Sequence, residues 1–252
     1  MAHLFKRIRV LLTTLVAFAV LATPAQAQDQ EYGYLWSLKF DFEQSFDAVL
    51  TIRVGPWEDG NLVAVDETSE TRIRCTRSGL VSLDSGHAVF NGGHLVCPID
   101  LATLVQQNHN LTINALDTYN SMLVQTRLQT TSNNVAPIFS HPNAAYTIDF
   151  TQLNSVTLNQ RLWNGAGQQT ATFGSIASNT MNTYFYQYGC QSSSGPCHAI
   201  FQANTQQQSF VTTGGQIKFA TGPNSFLIGG NGSSSFFGRM DDLLIDPGNT
   251  IY

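Results

Sequence analysis

The sequence predicts an all-β protein, a jelly-roll sandwich of two antiparallel sheets. Three observations predict it. Short runs alternate apolar and polar residues with period two, helical periodicity is nearly absent, and Gly, Asn, Pro and Ser punctuate the runs. Thr, Val, Ile, Phe and Tyr dominate the runs, as expected where branched and aromatic side chains sit on a half-buried pleat. About a dozen such runs without intervening helices suit a single two-sheet domain, a class that routinely exceeds ~200 residues.

The elements follow in order. Lys6, Arg7 and Arg9 precede an apolar stretch, Val10–Ala22, and an Ala25-Gln-Ala27 exit. That is the pattern of a cleaved secretory signal peptide, assigned to residues 1–27, with one domain over 28–252. The stretch is 13 residues long and holds two threonines. A membrane span needs about 20 apolar residues, so an uncleaved anchor is disfavoured and no later span is predicted. Predicted strands are Tyr34–Phe42, Ala48–Val54, Asn110–Leu116, Met122–Leu128, Ala145–Phe150 and Val156–Leu162. Thr183–Tyr188, His198–Ala203, Gln216–Phe219, Ser225–Ile228 and Asp242–Ile245 complete them. One or two helical turns, or another strand, fit Asp100–Gln106. The polar patches Ser192–Ser194 and Gln206–Gln208 read as loops.

The four cysteines, Cys75, Cys97, Cys190 and Cys197, all follow the leader, and an exported chain makes disulfides their default state. Four cysteines allow three connectivities. Loop-closure entropy favours the local pairs Cys75–Cys97 and Cys190–Cys197. A zinc site would want a C-x-x-C or paired histidines at ligand spacing, and neither occurs.

Charge excludes other partners. The formal charge is -5, and removing the leader leaves 9 Lys+Arg against 17 Asp+Glu. No Lys/Arg cluster stands out beyond the first ten residues, so nucleic acid is a poor partner. Thirteen of the 17 acids lie in residues 28–127, and none lies between Asp149 and Asp241.

Near the C-terminus, Asn224–Ile245 carries Leu227-Ile-Gly229, then Phe237-Gly-Arg-Met-Asp-Asp-Leu-Leu-Ile245. This resembles the closing signature of laminin-G-like domains of the concanavalin A-like lectin/glucanase superfamily. Ala88–Val96 is similar to the "F-x-G-x-x-V" strand pair near the start of such domains. Tyr184–Tyr186 followed by His198–Asn204 looks like a degenerate form of a later strand pair. Together these anchors cover roughly residues 86–247, and the resemblance implies the same jelly roll.

The resemblance also implies that Asp241 helps to hold a structural calcium, with Asp41 or Glu43 and backbone carbonyls completing the six to eight oxygens. The plainer alternative is a carboxylate that caps loop amides or pairs with Arg239. Glycoside hydrolysis, known in part of the superfamily, needs two facing carboxylates. The catalytic acidic strand of the glucanases is absent, and so are G-x-S-x-G and H-E-x-x-H. The histidines after the leader show no carboxylate or second histidine at ligand spacing. A non-catalytic role is therefore expected.

Tyr184, Tyr186 and Tyr188 share one strand face, and Trp163 precedes an Asn-Gly turn. Aromatic rings among amides suit sugar stacking, so these four are the predicted ligand-binding residues. The competing reading places the tyrosines in the core. The resulting expectation is a secreted or cell-surface recognition domain for a glycan or an extracellular protein. The alternatives are a structural subunit that self-associates and, behind it, a divergent glycoside hydrolase.

Overall fold

The computed structural model describes residues 31–58, 61–113, 116–131, 136–140, 147–150, 156–161, 168–174, 176–177, 179–191, 195–212 and 217–248. The predicted leader and Trp163 lie outside the described residues. Contacts divide the chain at Glu31, and the unit Tyr32–Tyr252 holds every element below.

The strands in chain order are β1 (Tyr32–Phe40), β2 (Ala48–Glu58), β3 (Asn61–Leu62), β4 (Glu67–Ile73), β5 (Thr76–Ser78), β6 (Val81–Asp84), β7 (His87–Asn91) and β8 (His94–Ile99). Helix α1 (Leu101–His109) intervenes. Then come β9 (Leu116–Tyr119), β10 (Ser121–Thr130), β11 (Ala136–Ser140), β12 (Thr147–Phe150), β13 (Val156–Arg161) and β14 (Gln168–Phe173). The last are β15 (Asn182–Cys190), β16 (Cys197–Ala203), β17 (Gln206–Thr212), β18 (Ile217–Ala220), β19 (Asn224–Ile228) and β20 (Phe237–Pro247).

Among the described residues the larger sheet has eleven strands, running β17-β16-β15-β10-β20-β1-β2-β3, with β4 on β2 and the β6–β7 pair against β20. The smaller sheet runs β12-β11-β19-β8-β5. Neighbouring strands in both sheets pair antiparallel. The predicted all-β jelly-roll sandwich is what forms. Trp36 on β1 is fully buried between the sheets, 5.5 Å from the Phe226 ring of β19 and 5.3 Å from Phe219 of β18. Alternation along β1 and β2 explains the layer: Trp36, Leu38, Phe40, Leu50, Ile52 and Val54 all point inward.

Both local disulfides form, Cys75–Cys97 and Cys190–Cys197. The first ties β8 to the segment between β4 and β5, and the second closes the β15–β16 turn.

Three expectations change. Of the predicted strand Asn110–Leu116, residues Asn110–Ile113 are not strand and Leu116 opens β9: Asp100 caps α1 through Thr103 N at 3.0 Å, the helix continues to His109, and Asn110 ends it in a left-handed conformation. Asn110, read as the start of a strand, is thus spent on the helix cap. Gln206–Gln208 opens strand β17 rather than a loop, because pairing with β16 outweighs the low intrinsic strand preference of glutamine. The Ala88–Val96 segment supplies two strands, but β7 belongs to the larger sheet and β8 to the smaller.

Gly238 is fixed by close approach. Its φ of +153° and the adjacent Gln129 carbonyl leave no room for a Cβ. Beside it, Arg127 opposes Asp242 and Leu128 opposes Met240, so Asp241 has no cross-strand partner. Asp241 is the extra residue of a β-bulge.

Candidate functional site

The three tyrosines do share a face, but it is the inner one. Tyr184 and Tyr186 are 2% exposed and Tyr188 is fully buried. Tyr186 packs its ring 4.7 Å from Phe201, and the Tyr188 hydroxyl lies 3.1 Å from the Cys190 sulfur. They are core residues and cannot receive a sugar ring. Burial pushes the Tyr184 and Tyr188 phenols well above the ordinary phenol range, and the Asn182 amide only partly offsets this at Tyr184.

The alternation that buries the tyrosines turns Thr183, Phe185 and Gln187 outward. Register then builds a row straight across eight strands: Arg72, Val49, Lys39, Leu244, Gln125, Phe185, Gln202 and Gln207. At the usual strand spacing this row is about 33 Å wide. Gln125 and Gln207 are exposed, while Phe185 and Gln202 are half-buried. The Gln202 amide donates to the Asn204 carbonyl at 2.7 Å, which holds this side chain in place. An apolar ring among amides is the chemistry first assigned to the tyrosines. It belongs to the other side of the same strand.

At the Lys39 end the row opens into a cleft of about 490 Å³, lined by Lys39, Asp41, Glu43, Glu70, Arg72 and Leu244 among others. The loop Asp41–Asp47 forms its wall, and Asp47 pairs with Arg72 at 3.7 Å.

Asp241 has another partner than calcium. The bulge turns both Asp241 and Asp242 toward Arg127. Arg127 donates from its backbone N to Asp242 Oδ1 at 3.0 Å and from Nε to Oδ2 at 3.1 Å, while its Nη2 contacts Asp241. The hydrogen bond that Arg127 donates to Asp242 raises the Arg127 pKa above its ordinary value. His87 Nε2 is 3.9 Å from the same Asp241 carboxylate. A dication there would face a guanidinium and lack its oxygen shell, so these residues do not fit calcium. Among the described residues, no group of three His, Cys, Asp or Glu is placed to hold a metal. Arg239, the other foreseen partner, pairs instead with Asp84 at 2.7 Å.

One constellation has the order of a hydrolase triad. Ser69 Oγ is 2.7 Å from His109 Nε2, and His109 Nδ1 is 3.3 Å from Glu67 Oε2. Spacing in sequence gave no hint of it, because Ser69 and Glu67 lie on β4 while His109 ends α1. The His109 side chain has no exposed surface, so it has no path to hand a proton to a leaving group above Ser69. The contact fastens the helix to the sheet.

No protein-family profile matches the chain, and no curated protein matches it. Solved structures do resemble it. Domain 4 of AbnA, an extracellular GH43 arabinanase of Geobacillus stearothermophilus solved with arabinotriose, aligns at TM-score 0.47 and 17% identity over 69% of this chain and 82% of that one. Peanut lectin aligns at TM-score 0.38 and 10% identity over 86% and 97%. The exoplasmic/lumenal domain of VIP36, in its Ca2+/Man3GlcNAc-bound form, aligns at TM-score 0.36 and 10% identity over 71% and 86%. These neighbours have the concanavalin A-like lectin/glucanase fold, and likenesses this distant say nothing of what this chain binds.

Proposed function

We propose that this chain is an exported, non-catalytic recognition domain that takes a glycan on the outer face of its larger sheet. The observation that carries this reading is the row centred on Phe185. A half-buried ring, held rigidly in the sheet, sits between Gln125 and Gln202. The ring suits the apolar face of a sugar, and the amides suit its hydroxyls. Two disulfides and the N-terminal leader pattern support an oxidising compartment outside the cytoplasm. The laminin-G-like closing motif supports a recognition role over a catalytic one. The engagement of both Asp241 and Asp242 by Arg127 supports the same choice.

The test is a glycan array probed with the purified mature chain, followed by Phe185→Ala against the best binder. Binding reduced about thirtyfold, with the melting temperature kept, is the expected outcome. Binding untouched by Phe185→Ala refutes the site, and release of reducing ends from any polysaccharide refutes the non-catalytic reading.

One observation favours a second reading, a self-associating structural subunit. Among the described residues β17 is an edge strand, it holds no charged residue or proline, and its Val211 is 71% exposed. Such an edge is a template for pairing with a second copy. Sedimentation velocity at micromolar concentration separates the two, since the recognition reading expects a monomer.

A further inference from the structure

On the other side of the Asp41–Asp47 loop lies a second cleft, of about 620 Å³, with a different chemistry. Its lining includes Gln44, Phe46, Arg74, Thr76 and Arg77. Residues 28–252 hold nine Lys+Arg, and three of them, Arg72, Arg74 and Arg77, fall within six positions. That concentration is easily overlooked against an acidic background, and the fold converts it into a site. Arg72 turns to the first cleft and pairs there with Asp47. Arg74 and Arg77 turn to the second.

The two guanidiniums differ in a useful way. Arg77 is held: its carbon lies 5.8 Å from the centre of the Phe46 ring, and Nη1 donates to the Val81 carbonyl at 3.2 Å. Its remaining N–H groups have no protein acceptor among the described residues. Arg74 has no protein partner among them at all. Between the two stands Cys75, bonded to Cys97 of β8, which fixes their spacing. An arginine already stacked and anchored loses little freedom when it binds an oxyanion. Among the described residues Asp47 is the one carboxylate on the lining, and its charge is answered by Arg72.

We infer that this cleft binds the anionic substituent of an acidic sugar, a carboxylate or a sulfate ester, with Arg77 as the fixed fork and Arg74 closing on it. Phe46 supplies an apolar wall, and Gln44 and Thr76 supply groups for hydroxyls. The inference rests on the glycan reading above and narrows its ligand class.

The test titrates the purified mature chain with oligogalacturonate, with a sulfated oligosaccharide and with a neutral oligosaccharide of equal length, at low and at high salt. An anionic probe should bind about tenfold more tightly than the neutral one, and salt should erase the difference. Which probe wins tells carboxylate from sulfate. Arg74→Gln and Arg77→Gln should each remove most of the preference, Arg77→Lys should restore only part of it, and thermal melting checks that each variant folds. Equal binding of all three probes, or a preference that survives the Arg74→Gln/Arg77→Gln double variant, overturns the inference. Phe185→Ala keeps the two readings apart. If it abolishes neutral binding while no anionic preference exists, the outer-face reading stands and this one fails. If it changes nothing while the arginine variants do, the outer-face site fails and the cleft stands.

Discussion

A single alternation decides the fate of every side chain on β15. Tyr184, Tyr186 and Tyr188 fill the core while Phe185 and Gln187 look out, so the two sets should respond oppositely to truncation. Tyr186→Ala should cost about 3–5 kcal/mol in chemical denaturation, whereas Phe185→Ala should cost binding and leave stability nearly intact. Buried phenols also set an alkaline limit. The ordinary phenol value is 10.0, and burial raises Tyr184 and Tyr188 above it in the folded chain. Above that pH the unfolded chain releases protons that the folded chain retains. Stability from these groups is therefore complete below about pH 10 and falls as pH rises further. A melting temperature followed from pH 8 to 11 should hold and then drop, with the tyrosinate absorbance of the buried phenols appearing only as the chain unfolds. Sequence showed that the tyrosines share a face. It could not show which face is covered, because the cover comes from residues remote in the chain.

Elements are held by staples whose worth follows from their spans. Cys75 and Cys97 are 22 positions apart, Cys190 and Cys197 only 7. In the chain-entropy account these loops are worth about 3.4 and about 2.5 kcal/mol. Replacing Cys75 and Cys97 by serine should therefore lower the free energy of unfolding more than replacing the other pair, as urea melts would measure. Helix α1 depends on its cap, where Asp100 accepts from Thr103 N at 3.0 Å and from the Thr103 hydroxyl at 2.8 Å. Asp100→Ala should cost about 1 kcal/mol. The pairing of cysteines was legible from loop length, and most strands from their period. The bulge at Asp241 was not, since it arises from the register of β20 against β10, and it redirects Asp241 from the expected cation to Arg127.

For the whole molecule, the outer face of the larger sheet unites residues from seven separated strands plus β20, which is why no local motif announces it. Phe185 meets Gln125 and Gln202 through pairings that span 60 and 17 positions. The edge at β17 bears on assembly: the chain should sediment as a monomer at micromolar concentration, and if it does associate, Val211→Lys should abolish association without touching glycan affinity. The most direct test of the central claim is a two-dimensional NMR titration of the side-chain amides with the best array binder. The account predicts that the Gln125 and Gln202 signals shift first, together with the Phe185 ring, while buried Asn182 stays still. Shifts that avoid this row and cluster on the smaller sheet would contradict it.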